Sequence, residues 1–232
     1  MSTPSSRAGR PVPLYLTALV AFFSAVAALA VSNGMAHAHG AADAHDAQSV
    51  VMTKRAVALH DGMRKLWEDH ITWTRLAIIS LEGGTPDTNA TVARLLKNQS
   101  DIGNAIKPFY GNAAGAKLTS LLRQHILIAA DLIAAAKAGD NAKVADAQAR
   151  WAANADEIAA FLHGANPRYW PLSVIKAEMR MHLKLTTEEA VAHLKGEWAA
   201  DVAAYDKVHR HILHMSDLLS DGLIEQFPAR FS

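Results

Sequence analysis

Twelve histidines and no cysteine stand in 232 residues. Imidazole is the usual nitrogen ligand of Cu, Zn, Ni and Fe, and it titrates close to neutral pH. The absence of thiols excludes a disulfide scaffold, a thiolate zinc site, an iron–sulfur cluster, a cysteine nucleophile and covalent haem attachment. What matters is where the imidazoles fall. Stepping by three and four residues, one stripe reads Leu59, Met63, Leu66, His70, Trp73, Ala77. Others read Leu118, Leu121, His125, Ile128, Leu132, and Ile175, Met179, His182, Thr186, Glu189. A further stripe reads Trp198, Val202, Tyr205, His209, Ile212, and Val144 to Phe161 carries Asn154 at its centre. Each is an apolar helix face interrupted by one central polar residue, the stripe through His182 being looser because it runs on into Thr186 and Glu189.

These stripes need helices to carry them. From residue 50 the hydrophobic period is helical and no strand alternation appears. Six segments are expected: 50–82, 88–106, 113–138, 141–163, 171–195 and 197–226. Gly83-Gly84, Pro108, Gly139, Gly164, Gly196 and Pro228 mark their ends. Short connections favour antiparallel neighbours, so the expected fold is an all-α antiparallel bundle of four to six helices. Counting down alternate rods, His70, His125, Asn154, His182 and His209 each lie about 12–13 residues from the same end. At ~1.5 Å per residue they form one level, with Gln99 and Asp101 near it. Thr186-x-x-Glu189 has the form of a capping box and would break the fifth segment.

Four imidazoles at one level have eight ring nitrogens, and mutual pairing satisfies only half. A metal ion resolves that excess. The expected ligands are His70, His125, His182 and His209. Asn154, Asp101, Tyr205 and Glu178 are possible outer partners, and Glu189, His211 and His214 are alternates. His211 and His214 share a face one turn apart and suit a second, outer site, or else are solvated. A b-type haem held by two of these histidines is an alternative, and a metal-free structural or interaction module of the cell envelope is another. H-E-x-x-H is missing, as are the paired Glu-x-x-His motifs of di-iron bundles, a nucleophile elbow and a phosphate loop.

The first 38 residues carry Arg7 and Arg10, no acid, an uncharged run from Leu14 to Val31, and an Ala36-His37-Ala38 triplet. That is the pattern of a secretory signal peptide, and the run is also long enough to serve as a membrane anchor. Either places the body outside the cytoplasm, as a periplasmic or outward-facing protein. Cleavage after Ala38 would make His39 the first residue, whose amine and imidazole form a copper-type chelate. The organisation expected is 1–38 signal or anchor, 39–49 flexible His-containing linker and 50–227 bundle. A formal net charge of +1 excludes a strongly basic nucleic-acid binder.

The strings Leu66-Trp-Glu-Asp-His70-Ile-Thr-Trp73-Thr-Arg75, Asn98-Gln-Ser-Asp101-Ile-Gly-Asn104 and Ala153-Asn-Ala-Asp-Glu157 carry a resemblance. Over about residues 54–227 the chain resembles a family of small bacterial all-helical proteins of unknown role. Some of these carry the label acetylglutamate kinase. That label implies an α/β fold with a phosphate loop, which this sequence lacks. The resemblance implies a bacterial, all-α protein and no particular activity.

Overall fold

Ala- and Leu-rich segments free of interior proline have high helix propensity, and small polar or glycine residues punctuate them. The computed structural model describes residues 52–232. The proposed signal, the linker and His39 lie outside the described residues. Helix α1 spans Lys54–Gly83, with the Thr53 hydroxyl accepting from the Ala56 amide and Gly84 closing it at φ 64°. Helix α2 spans Thr88–Ala138, α3 Asn141–Ala165, α4 Leu172–Lys195 and α5 Trp198–Gln226, before a short 3-10 turn at Pro228–Arg230. Asp140 caps α3 by accepting from the Lys143 amide at 3.1 Å.

Helix α2 differs from the expectation of two separate segments. Its hydrogen bonding continues past Pro108, but Gly111 (φ 84°, ψ 172°) breaks the helical path. Pro108 sits in the last turn before that break, where it removes the bond its N–H would have made to the Asn104 carbonyl and so weakens the helix just ahead of Gly111. The two arms then fold back on one another. A Cβ on Gly103 would stand 2.0 Å from Thr119 Oγ1 and 2.6 Å from the Gly115 carbonyl oxygen. Only bare backbone permits that crossing. Gly103→Ala is expected to lower stability by about 1–3 kcal/mol by forcing the arms apart, read as a drop in urea midpoint at unchanged slope.

Each helix packs on its sequence neighbour, and α5 closes on α1. The described chain is thus an all-α bundle whose rods enclose one main core, including Met63, Ile71, Ile102, Leu118, Ile158, Ile175, Val208, Ile212 and Leu223. Trp170 is buried in the α3–α4 turn against Gly222, and Asn166 Nδ2 ties that turn to the Gly222 carbonyl at 2.8 Å. At one pole Thr53 Oγ1 donates to the Phe231 carbonyl, and Arg55 Nη1 donates to the Ser232 carbonyl at 3.2 Å. Helix α4 runs unbroken through Thr186, so the anticipated capping box does not operate. Thr187 instead returns its hydroxyl to the Leu183 carbonyl.

Candidate functional site: a buried histidine layer

His70 on α1, His125 on α2 and His182 on α4 meet in the core, each almost wholly buried. The His182 ring centroid lies 5.6 Å from that of His70 and 6.1 Å from that of His125. Trp67 meets His70 edge-on at 5.7 Å, and Trp151 lies 5.2 Å from His125. The stripes that carry these imidazoles are apolar, so three helices packing on their apolar faces necessarily bring the rings together.

Hydrogen bonding fixes the state of two rings. Asn154 Nδ2 donates to the Leu121 carbonyl at 3.2 Å, which points Oδ1 at His125. His125 Nδ1–H therefore donates to that oxygen at 2.8 Å, and its lone pair is on Nε2. Nε2 is buried with no hydrogen-bond partner. Around His70 the same logic gives the opposite tautomer. Asn98 Nδ2 donates to the Leu66 carbonyl, and Gln99 Nε2 donates to the Leu95 carbonyl at 2.9 Å and to Asn98 Oδ1 at 3.2 Å. Gln99 Nε2 also faces His70 Nδ1 at 3.3 Å, sharing one of its two hydrogens between that nitrogen and Asn98 Oδ1, so Nδ1 accepts and the ring proton sits on Nε2. His182 Nδ1 and Gln99 Oε1 are buried without partners.

Burial holds all three rings neutral. It pushes His70 down to about 3, helped by the nearby His125, and His125 down to about 4 against the opposing Asn154 bond. His182 falls well below the usual imidazole value, first through burial and then through its three imidazole neighbours. Neutral imidazole is the form that ligates metals. A cavity of about 30 Å³ touches all three rings and is otherwise walled by apolar side chains, including the thioethers of Met63, Met179 and Met215. Among the described residues, no group of three or more His, Asp or Glu side chains is placed, as it stands, to hold a metal ion.

His209 does not join this group, contrary to the expectation. Its Nε2 faces Glu68 at 3.1 Å on the surface, and its ring stacks on Tyr205. The inward face of α5 reads Asp201, Ala204, Val208, Ile212, Met215 and Leu219, while Trp198 and Val202 are exposed. The apolar Trp198 and Val202 drew the expected stripe onto the wrong face. His211, two residues on, is the α5 imidazole beside the layer, 6.4 Å from His182 between ring centroids. Asp101 does not face the layer; it is half-exposed and paired with Lys97 at 2.8 Å. Tyr205 packs under the Arg75 guanidinium instead. Asn154 is where the sequence placed it, and Gln99 joins it at the layer.

Glu189 belongs to a second polar cluster that the sequence did not announce. Arg75 Nη1 donates to Glu189 Oε1 and Asp201 Oδ1, each at 2.8 Å, and Nη2 donates to Asp201 Oδ2 at 3.1 Å. His193 Nδ1 lies 2.9 Å from Asp201 Oδ2. One guanidinium neutralises one carboxylate. Asp201 stays below the usual range, its burial outweighed by Arg75 and His193, whereas burial raises Glu189 to about 7. Burial and the two neighbouring acids raise Glu82 to about 8. The charges of Arg75 and Asp201, 126 positions apart, read separately as surface residues, and only their pairing lets both turn inward.

No protein-family model, no curated protein and no solved structure matches this chain.

Proposed function

We propose that this protein binds a transition-metal ion in its core through His70, His125 and His182, for metal storage, delivery or sensing. The observation that carries the reading is the meeting of three neutral imidazoles from three helices, with His125 Nε2 and His182 Nδ1 unpartnered. An unpartnered buried polar atom costs about 1–3 kcal/mol, and a metal bond removes that cost. The spacing is suitable. Nitrogens at ~2.1 Å from one ion put ring centroids roughly 5–6.4 Å apart, from tetrahedral to linear, which brackets 5.6 and 6.1 Å. Asn154 already orients His125 as an outer partner should. Closure requires rotation of the rings. His70, whose lone pair is on Nδ1, must also exchange its Gln99 contact for the ion.

Imidazole alone suits Cu, Zn, Ni or Fe; thioethers beside it favour copper. The haem alternative is not favoured, because organic cofactors fill pockets of roughly 300–1,000 Å³ and the cavity at the layer is about 30 Å³. A metal-free interaction module is the second reading, favoured by the outward-facing pair Trp198 and Val202. Residues 1–38 support export to the periplasm or anchoring on its side of the membrane.

Elemental analysis of the purified protein, with titration by Cu(I) and by Zn²⁺, tests the reading. About one equivalent should survive desalting. At a free concentration 100 times the Kd, metal should stabilise the fold by about 2.7 kcal/mol. His125→Ala and His182→Ala should abolish retention, and His209→Ala should leave it intact. Wild-type retention in folded His70→Ala, His125→Ala and His182→Ala proteins would falsify the reading.

A further inference from the structure

Outside the layer, one group of side chains on α4 and α5 has complementary donors and is open to solvent. His211 Nε2–H donates to the Glu178 backbone carbonyl at 3.1 Å, so the lone pair of His211 is on Nδ1. Nδ1 lies 3.6 Å from Glu178 Oε2, and His214 Nε2 lies 3.8 Å from Glu178 Oε1. The exposure is graded: the side chain of His214 is 64% exposed, that of Glu178 21% and that of His211 10%. His182 follows at 6.4 Å from His211 and is buried.

We propose that His211, His214 and Glu178 form an outer divalent-metal site that takes an ion from solvent and passes it inward through His182. Two imidazole nitrogens and a carboxylate at ~2.0–2.2 Å from one ion stand about 3.4 Å apart at the tetrahedral angle. The two separations from the Glu178 carboxylate, 3.6 and 3.8 Å, exceed that by a few tenths of an ångström, and side-chain rotation must bring both imidazoles onto one ion. The bond from His211 to the Glu178 carbonyl sets the ring's tautomer and orientation before any ion arrives. His214 and Glu178 are the groups that solvent reaches, and His211 lies between Glu178 and the His182 ring. The outer site stands independently, whereas its role in loading rests on the buried-layer reading above.

The test is a Zn²⁺ titration of the protein with ¹⁵N-labelled histidine, following each imidazole nitrogen separately. His211 Nδ1 and His214 Nε2 should shift at the first substoichiometric additions, with His125 Nε2 following more slowly. Glu178→Gln should weaken the outer site by at least the roughly 10- to 100-fold typical of losing a mere outer partner, and His214→Ala should remove it and slow the His125 response. His214 is largely exposed, so that variant should fold as wild type. If His125 responds at the wild-type rate while His211 and His214 stay silent, the outer site is wrong and the buried layer stands. A response confined to His211 and His214 upholds the outer site but overturns both the inward transfer and the buried layer. Silence at all five rings overturns both proposals.

Discussion

In the metal-free protein, stability is expected to peak near about pH 6.5 and to collapse below about pH 4.5. The acid limb comes from the layer. His70, His125 and His182 have folded values of about 3, about 4 and well below normal. The unfolded chain therefore takes up protons first as pH falls below ~6.5, and each imidazole costs about 1.4 kcal/mol per pH unit until its folded value is reached. The carboxyls oppose this. Glu82 and Glu189, raised to about 8 and about 7, hold protons in the fold that the unfolded chain releases above ~4.5. They therefore favour the fold as pH falls from 8 to about 4.5 and weaken it as pH rises through 7 and 8. Below ~4.5 their support is exhausted while the imidazole penalty continues, and against a total stability of ~5–15 kcal/mol the protein should unfold. Urea midpoints from pH 4 to 9 measure the curve. Glu82→Gln with Glu189→Gln should flatten the alkaline side and steepen the fall between about pH 6.5 and 4.5, where the two carboxyls no longer oppose the imidazoles. A flat profile between pH 6.5 and 4 would show that the rings are already charged or solvated.

Arg75→Met should cost about 3–5 kcal/mol at pH 8, because it leaves Glu189 and Asp201 buried without their shared cation. Glu189 is 1% exposed and Asp201 2%, so water cannot take over the guanidinium's role. The loss should shrink toward pH 5, where the fold can keep both carboxyls protonated. Adding Glu189→Gln and Asp201→Asn to Arg75→Met should recover much of the stability at pH 8 by removing the uncompensated charges. Chemical denaturation of the single, double and triple variants measures this. Additive losses would mean that the three groups do not act as a unit.

The fold was legible because its punctuation is local. Asp140, Gly139 and Gly196 act at the positions where the sequence places them, and the expected ends of the last four segments lie within two residues of the observed ones. The layer was legible in three of four histidines, since an isolated imidazole within an apolar stripe has one way to face. Helix α5 misled because Trp198 and Val202 are apolar yet exposed, while Asp201 is charged yet buried. Periodicity weighs residue types one at a time, and it cannot know that Arg75 from a distant helix and His193 from over the adjoining turn both wait for Asp201. Asp101 failed for a related reason: Lys97, one turn earlier on the same helix, keeps it at the surface. The back-folding of α2 depends on two glycines 12 positions apart meeting face to face, which no single stripe encodes.

The contacts of Thr53 with Phe231 and of Arg55 with Ser232 bring the first and last turns of the bundle side by side. Together with the closure of α5 on α1, they make the helical path nearly circular. A short linker could join residues 53 and 232 with little added loop entropy. New termini could then be opened in the exposed Gly196–Glu197 connection or the half-exposed Gly139–Asp140 one. A circular permutant of this kind would keep the same core, so the order of the helices in the gene is not what defines the architecture.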